Sequence, residues 1–555
     1  MSKSTPTAHP LMLFTTALFW AALNSHFASR YLVVVDAPQQ LAGKIVAAGI
    51  VAWILLASFY ACFHTTSFVF SLLVDRFAKP VTKNYQSMPP VAVLYTCKDD
   101  MQEAALESCL AQAYPNRAIF VLDDSLTEAE QARVDRFCRH HEQVTCLRRE
   151  GRDGFKAGNL NHALRSIGEQ YPYLAVVDAD EILPKDFLVE TVAIAEGDPS
   201  LGFVQARHRM YGQTAFGRGA GDGLELHWSY YLPARNLFGF VYFFGHGALL
   251  RTKACLTVGG FPEIVSEDAA LAMRMRTAGY RGHFTSDVVC LEEVPPSYGA
   301  FRARHAKVVR GTLELIAREL PGFLRSKHVS CTEKLDLSVA TAGIYLPIPF
   351  MAFVTMLHFV MPLFLTETYS FTLRAASDAE FGYILTSAGL FRALWGWDTL
   401  AFTAFTVFAP LCYVLPDFLR TPGRVLGYVF RITPVSLSTV PQTVRECVQW
   451  LYGRQNTFDN TGRRDAPRLA RAVAIDTCVG AALCLCAIVT GSLFLLSLGL
   501  SVLMIPLLMK SNGQGRLVAW LLPVPLALTL VAFISMPALL LGFSGALVGV
   551  ALAHH

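Results

Sequence analysis

Long apolar stretches stand at both ends of this chain, and they constrain its fold more than any other feature. A helix that crosses a bilayer needs about 20 mostly apolar residues. Of the 555 residues only 16% are charged, whereas a soluble domain averages roughly 25%, yet residues from about 80 to 330 have an ordinary charge load. We therefore predict a soluble domain between seven or eight transmembrane helices, at about 11–33, 45–73, 336–365, 397–417, 472–490, 492–509, 516–535 and 537–553.

Basic residues near the ends of these runs predict the orientation, because Lys and Arg favour the cytoplasmic side of a membrane. Arg76, Lys79 and Lys83 follow the second run, and the stretch 418–471 is rich in arginine. No small-residue cleavage site follows the first run, so we interpret it as a retained helix rather than a signal peptide. The pattern predicts a multi-pass protein of the inner (plasma) membrane whose soluble domain is cytoplasmic.

Two features of the composition exclude other classes of function. The net formal charge of +4 is too small to indicate a nucleic-acid partner. The 13 cysteines are scattered, without a CxxC pair, which favours small buried or lipid-facing residues over a metal cluster or a disulfide framework.

The soluble part has the pattern of an α/β domain. Short apolar runs at Val91–Thr96, Ala118–Leu122 and Leu174–Val177 read as strands, and helical patterns cover Gln102–Ala113 and Glu128–His141. Strands that alternate with helices predict a mostly parallel sheet. Ligands of such sheets bind beyond the carboxyl ends of the strands, where acidic residues follow each of these runs.

The strongest chemical signal is the pair Asp178 and Asp180, directly after the third apolar run. Hard carboxylate oxygens at this spacing suit Mg²⁺ or Mn²⁺, and such an ion neutralises a diphosphate leaving group. The alternative interpretation is a solvated surface turn. The apolar strand before the pair, and the acidic groups elsewhere in the domain, favour the metal site.

Two further acidic groups have a functional and a structural interpretation. Asp123 and Asp124 are placed to accept hydrogen bonds from a nucleobase or ribose, or to begin a helix. Glu267 and Asp268 follow Ser266, and a carboxylate there is placed to take the proton from an acceptor hydroxyl as it attacks. The same Ser266 also suits the N-cap of a helix, and both interpretations are compatible.

A glycine-flanked loop supplies the basic group. Lys156 in the sequence GFKAGNLN is placed to contact phosphate, and Asn159 or Asn161 to contact sugar or nucleotide. The alternative is an ordinary loop that leads into a helix.

These motifs, in this order, resemble the family-2 processive glycosyltransferases, the group of cellulose, curdlan, chitin and hyaluronan synthases. The resemblance covers about residues 90–310 and implies an α/β glycosyltransferase-A-like (Rossmann-like) domain fused to membrane helices. It implies inverting transfer from a nucleotide sugar, with UDP-glucose as the expected donor. The implied roles are nucleotide binding by Thr96, Asp99, Asp123 and Asp124, donor contacts by Lys156 and Asn159, diphosphate and metal binding by Asp178 and Asp180, and catalysis by Asp268 with Glu267.

Two positions bear on the acceptor and on gating. The family's QxxRW motif reads FRARH here, so Arg304 is retained to pair with the diphosphate while Phe301 and His305 replace Gln and Trp. Since that Trp contacts the acceptor in the family, His305 is the expected acceptor contact, and processivity is the property in doubt. The sequence FDNTGR resembles the FxVTxK gating loop of cellulose synthase, which implies phosphate contacts for Thr461 and Arg463.

The resemblance implies a membrane synthase that polymerises a β-linked polysaccharide, a β-glucan by expectation, and moves it through its own channel. Its expected partners are the donor, the growing glycan, the lipid bilayer and accessory secretion subunits. One alternative is single-sugar transfer to a lipid or oligosaccharide, and another is a transporter with a degenerate regulatory domain. The predicted layout is membrane helices in 1–78, the transferase domain in 79–300, interfacial helices in 301–333, membrane helices in 334–417, an interfacial segment in 418–471 and membrane helices in 472–555.

Overall fold

A computed structural model describes most of the chain, including the whole predicted strand-and-helix core. The described residues are 8–78, 80–212, 214, 216, 225–364, 397–423, 429, 435–453, 466–490, 493–511, 521, 524–525 and 527.

The two N-terminal apolar runs form the long helices α1 (Leu11–Asp36) and α2 (Leu41–Phe77). Side-chain hydrogen bonds join them at two depths: Asn24 Nδ2 donates to Ser58 Oγ at 3.2 Å, and the hydroxyls of Thr16 and Thr66 share a bond of 2.5 Å. Much of their remaining surface is apolar and exposed, as with Leu18, which is 55% exposed. Such bonds are one of the interactions by which helices associate in lipid, together with close packing.

The central domain is built on an eight-stranded mixed sheet. Its spatial order is β3-β2-β1-β4-β7-β6-β8-β5. The strands β1, β2, β3 and β4 are mutually parallel, β6 pairs with β8 in parallel, and the remaining pairs are antiparallel. The bounds are β1 Val91–Cys97, β2 Arg117–Asp123, β3 Val144–Leu147, β4 Tyr173–Asp178, β5 Glu181–Ile182, β6 Leu201–Tyr211, β7 Ala248–Arg251 and β8 Arg281–Glu293.

Helices cover both faces of this sheet. Every residue of β1 is buried, as expected of a strand between two helical layers. The helices of this part are α3 Glu103–Leu110, α4 Glu128–His140, α5 Phe155–Ile167, α6 Phe187–Gly197, α7 Arg235–Phe238, α8 Thr252–Thr257 and α9 Glu267–Thr277. Val93 and Tyr95 point into the core beneath α3, α4 and α6, and Leu94 points into the core beneath α5 and α9.

After β8, the described residues form helices joined by short turns. Short 3-10 helices or π-helices lie in the central domain at Gly168–Gln170 and His227–Tyr231, and after β8 at Met356–Val360, Met361–Phe364 and Ala409–Val414. The α-helices are α10 Tyr298–Arg318, α11 Leu320–Arg325, α12 Cys331–Gly343, α13 Pro347–Thr355, α14 Trp397–Phe408, α15 Leu415–Arg420, α16 Val440–Leu451, α17 Ala466–Thr490, α18 Leu493–Leu503 and α19 Ile505–Ser511.

The predicted α/β class with membrane-type helices is confirmed, with two differences. The sheet is mixed rather than mostly parallel, because β7 inserts antiparallel between β4 and β6. Three described helices are long and apolar enough to cross a membrane, at Leu11–Asp36, Leu41–Val74 and Ala470–Ile488, and a fourth span arises if α12 and the helix from Pro347, bent by 56°, count as one. The predicted runs 516–535 and 537–553 lie almost wholly outside the described residues.

Candidate active site

The carboxyl ends of three parallel strands bring the first acidic motifs to one edge of the sheet. Thr96 near the end of β1 is in register with Asp178 of β4 on one side and Leu122 of β2 on the other. Asp123 follows Leu122 and is in register with Cys97. Strands lie about 4.8 Å apart, so Asp123 and Asp178 flank β1 roughly 10 Å apart.

Lys156 is the cation at this edge. Its Nζ donates to Asp178 Oδ1 at 2.5 Å and to the carbonyl oxygen of Gly245 at 2.9 Å, while the hydroxyl of Thr96 donates to the same Asp178 oxygen at 2.9 Å. Burial alone would raise the pKa of Asp178, but the charges of Lys156 and His246 hold it at about 2. Asp178 is therefore an anion at neutral pH, with a lysine already in contact.

The glycine-flanked loop places Lys156 through a local turn and two asparagines. Gly154 has φ +72°, in the left-handed region that favours glycine, and α5 begins at the next residue. Asn159 donates to the carbonyl oxygen of Leu122 at 3.1 Å. Asn161 donates to the carbonyl oxygen of Phe261 and accepts from its amide, both at 2.8 Å. The asparagines thus anchor α5 to β2 and to the turn that leads to the second acidic motif.

Glu267 and Asp268 form the first turn of α9, and Asp268 lies close to Gly245. A side-chain carbon at Gly245 would lie 3.2 Å from Asp268 Oδ2 and 3.5 Å from Lys156 Nζ. Burial raises the pKa of both carboxyls, and the positive charges of Lys156 and Lys307 oppose that rise. Ser266 is the N-cap, but its side chain makes no capping bond among the described contacts. The structure thus brings Asp178, Lys156 and Asp268 together.

Two basic side chains at this site were not predicted from the sequence. His246 lies beside Gly245, and the carboxylates of Glu181 and Asp178 raise its pKa to about 10 although burial opposes this. Lys307 lies on α10, one turn before Gly311, where that helix packs closely against Val265 and Ser266.

The acidic residues at the end of β2 are bound by arginines. Asp123, whose side chain is fully buried, accepts from Arg148 Nε at 2.7 Å. Asp124 accepts from Arg149 through both oxygens, at 2.9 and 2.7 Å, which is the bidentate geometry of a strong pair. Asp99, at φ +59°, accepts from the amides of Leu126 and Thr127 at 2.9 and 3.0 Å. These three carboxylates shape the loops around the predicted nucleotide site, and their contacts with a nucleotide stay a prediction.

The residues of the altered QxxRW motif lie on α10. Arg304 contacts Glu292 Oε1 at 3.4 Å and remains 39% exposed. His305 shares a hydrogen bond of 2.8 Å with Thr443 of α16, and burial lowers its pKa to about 4. The predicted gating-loop residues Thr461 and Arg463 lie outside the described residues.

Asp178 and Asp180 place two carboxyl groups close together, which suits the predicted divalent cation. Burial, and then the charge of Asp178, raise the pKa of Asp180 to about 7. A divalent cation near both would offset this repulsion, and carboxylate oxygens are the ligands that Mg²⁺ and Mn²⁺ prefer. Among the described residues, the side chains already spaced to share an ion are different ones: Glu181 with His208 and Cys290, and His208 with His246 and Glu292.

A family model matches the part of the chain that contains Asp178 and Asp268. Residues 173–419, which contain Asp178, Asp180, Asp268 and Arg304, match the family model described as glycosyl transferase family group 2. The match indicates a family-2 glycosyltransferase domain in this part of the chain. The class of enzyme predicted from the motifs, a transferase of this family, is therefore confirmed.

Comparisons of the chain with individual proteins show the following likenesses. It is 30% identical over 261 residues to glucomannan 4-beta-mannosyltransferase 7 of Arabidopsis thaliana, an alignment that covers 45% of this chain and 47% of that protein. The chain thus spans about half the length of this curated relative. Among solved structures, a mannosyltransferase of Pyrobaculum calidifontis in complex with GDP-Man and Mn²⁺ is 19% identical with a TM-score of 0.45, over 74% of this chain and 100% of that one. TarS residues 1–349 of S. aureus, in complex with UDP-GlcNAc, is 12% identical with a TM-score of 0.29, over 67% and 94%.

Proposed function

We propose that this protein is a membrane-embedded inverting glycosyltransferase that builds a β-linked polysaccharide from a nucleoside-diphosphate hexose. Its transferase domain faces the cytoplasm, and its apolar helices lie in the plasma membrane. The growing glycan is the acceptor, and it leaves through a passage between those helices.

One observation supports this proposal above the others: the Lys156 ammonium lies between the two acidic motifs. It contacts Asp178 at 2.5 Å and the carbonyl oxygen of Gly245 at 2.9 Å, and Gly245 adjoins Asp268. A donor-side anion and an acceptor-side carboxylate therefore flank one cation. This arrangement suits glycosyl transfer, because negative charge develops on the diphosphate while the acceptor hydroxyl loses a proton.

Each group has a role that its surroundings support. Asp268 takes the proton from the acceptor hydroxyl, and its raised pKa makes it a better base than an exposed aspartate. Lys156 and Arg304 stabilise the departing diphosphate by charge. Asp178 and Asp180 would hold Mg²⁺ or Mn²⁺, which supplies further charge to the diphosphate when bound.

The donor sugar has two candidates. The resemblance to cellulose and curdlan synthases favours UDP-glucose. The Arabidopsis relative, whose name gives a 4-beta-mannosyltransferase acting on glucomannan, favours GDP-mannose. Both are α-linked nucleotide hexoses, so inversion gives a β-linkage with either, and the site chemistry proposed here is the same.

A second candidate, the addition of a single sugar, has one observation in its favour. His305, at the position where the family has a tryptophan, shares a hydrogen bond with Thr443. An imidazole held in this way offers a smaller face for stacking on an acceptor sugar than an indole does. Product length separates polymerisation from single addition.

The test is transfer by the purified protein in lipid nanodiscs, with labelled UDP-glucose, GDP-mannose and UDP-GlcNAc, each with Mg²⁺, Mn²⁺ or EDTA. We expect one donor to give β-linked product, with loss of transfer in EDTA. Asp180→Asn and Asp268→Asn should each lower the rate at least a hundredfold, while Asp135→Asn, a surface control, should not. Absence of transfer with every donor, or full activity in Asp268→Asn, would refute the proposal.

A further inference from the structure

Glu292, near the end of β8, is a buried carboxylate that none of the roles above uses. It is 6% exposed, and its two oxygens face different partners. Oε1 lies 3.4 Å from Arg304 NH1, and Oε2 lies 3.1 Å from His208 Nδ1. The positive charge of Arg304, followed by the bond from His208, keeps the pKa of Glu292 well below its ordinary range although burial opposes this. Glu292 is thus an anion held between a cation at the site and a histidine in the core.

His208 extends the contacts of Glu292 toward the loop that carries Asp178 and Asp180. His208 is fully buried and stacks on Trp228, with ring centroids 4.2 Å apart and planes 16° from parallel. Its Nε2 lies 3.4 Å from Glu181 Oε1. The other oxygen of Glu181 accepts from the amides of Gly247 at 2.9 Å and Asp178 at 3.4 Å. Close contacts therefore link the backbone of Asp178 to the guanidinium of Arg304, and the contact between His208 and Glu181 is an approach of 3.4 Å rather than a hydrogen bond.

The same cluster is spaced as a metal site, but its charges are already balanced. Glu292 is paired with Arg304, and Glu181 lies 3.4 Å from the charged ring of His246. The His208 Nε2 atom also has the Gln205 amide as a neighbour at 3.4 Å. A cation added here would have to displace these partners, so positioning is the role that the contacts favour.

We propose that Glu292 is a positioning residue for Arg304, and that through His208 and Glu181 it fixes the guanidinium relative to the Asp178–Asp180 loop. This inference rests on the proposed function, in which Arg304 stabilises the departing diphosphate. Arg304 is 39% exposed. A long side chain without a fixed partner samples many rotamers. A buried carboxylate at its head removes that freedom before the donor arrives, which is the preorganisation that charge stabilisation requires.

A double-mutant cycle of Glu292→Gln and Arg304→Gln tests the inference, with kcat/KM for the active donor as the readout. If Glu292 acts through Arg304, each single change lowers kcat/KM by about tenfold or more, and the double variant is no worse than Arg304→Gln alone, because coupled residues are non-additive. Inhibition by free UDP and GDP should weaken to the same extent in all three variants. Effects that multiply in the double variant would overturn the inference, as would wild-type kinetics in Glu292→Gln.

A matched control is Glu446 of α16, a buried carboxylate that pairs with another arginine of α10. Glu446 is 3.3 Å from Arg310 of α10 and has a similar burial, 7% against 6% for Glu292. Glu446→Gln should lower the midpoint of thermal unfolding about as much as Glu292→Gln, but leave kcat/KM of the folded protein unchanged. An equal loss of kcat/KM in both variants would assign Glu292 to general stability and overturn the inference. If the wild-type protein transfers no sugar, the proposed function fails instead, so the two failures are distinguishable.

Discussion

Lys156 Nζ lies 2.5 Å from Asp178 Oδ1, and this contact crosses from α5 to the end of β4. It joins two motifs that are 22 residues apart in the chain, and it pairs the cation with the aspartate whose pKa is held at about 2. A ligand with phosphate groups would meet a lysine already oriented by two acceptors.

The first prediction concerns that lysine. Lys156→Gln removes the charge that stabilises both the Asp178 anion and a bound diphosphate, so we expect kcat/KM to fall about 10- to 100-fold, the loss of one or two charge-assisted bonds. Initial rates across a donor titration measure it. Lys253→Gln, an exposed lysine on α8, is the control and should retain the wild-type value. Wild-type kinetics in Lys156→Gln would contradict the role.

The second prediction is a shift of the pH profile in Lys307→Met. Burial raises the pKa of Asp268, and the charge of Lys307 lowers it, so loss of that charge raises it further. The base must be ionised to act, and the acid limb of the kcat–pH profile should therefore move to higher pH. The variant should lose more activity at pH 6 than at pH 8, whereas Lys327→Met should follow the wild-type curve. An equal loss at both pH values would argue against this electrostatic coupling.

The local signals in the sequence predicted the strand ends and the acidic motifs, because both depend on short-range patterns. An apolar run followed by Asp, as at Asp123 and Asp178, is visible without the fold. Parallel pairing of the strands then places these residues at the same edge of the sheet. The order of the strands was not predictable in this way. Insertion of β7 between β4 and β6 depends on contacts between residues more than 40 positions apart along the chain.

The sequence does not indicate His246 and Lys307 as site residues, for a related reason. His246 lies in a glycine-flanked apolar stretch that has no helical or strand periodicity, so the sequence does not indicate which way its ring points. Lys307 is one of several cations on α10, and its approach to Asp268 depends on the close packing at Gly311. A small residue on a basic helix is the one sequence feature that marks such a docking face.

The third prediction separates structure from binding at Asp124. Both oxygens of this carboxylate are bonded to Arg149, and the two side chains are 10% and 9% exposed. Asp124→Ala leaves the Arg149 guanidinium with two carbonyl acceptors but without a carboxylate, and this should cost about 3 kcal/mol, the lower end of the range for one partner of a buried pair. Scanning fluorimetry should show a lower unfolding midpoint, partly restored when Arg149→Met is added.

The exposed pair of Asp135 and Arg148 is the control for this change. Asp135 is 40% exposed, and exposed ion pairs contribute less than about 1 kcal/mol. Asp135→Ala should therefore leave the unfolding midpoint nearly unchanged. If Asp124→Ala were equally mild, the bidentate pair would not be a structural requirement.

The fourth prediction concerns Asp476, a carboxylate inside an apolar helix. It is 1% exposed and ion-paired with Arg302 of α10 and Arg445 of α16, so one residue of α17 joins both of these helices. Ionisable groups in such segments are costly unless paired. Asp476→Leu leaves two arginines without their shared carboxylate, and we expect a loss of about 3 to 5 kcal/mol.

Unfolding midpoints and yields of folded protein from detergent extraction measure this loss. Asp398→Asn is the comparison, because Asp398 also contacts two basic side chains, His26 and Arg30, but is 37% exposed. It should change the midpoint little. Removal of both arginines together with the carboxylate, in the triple variant Arg302→Met, Asp476→Leu and Arg445→Met, should recover much of the lost stability, since no unpaired charge then remains buried. A triple variant less stable than Asp476→Leu would show that the arginines stabilise the helices by contacts other than this carboxylate.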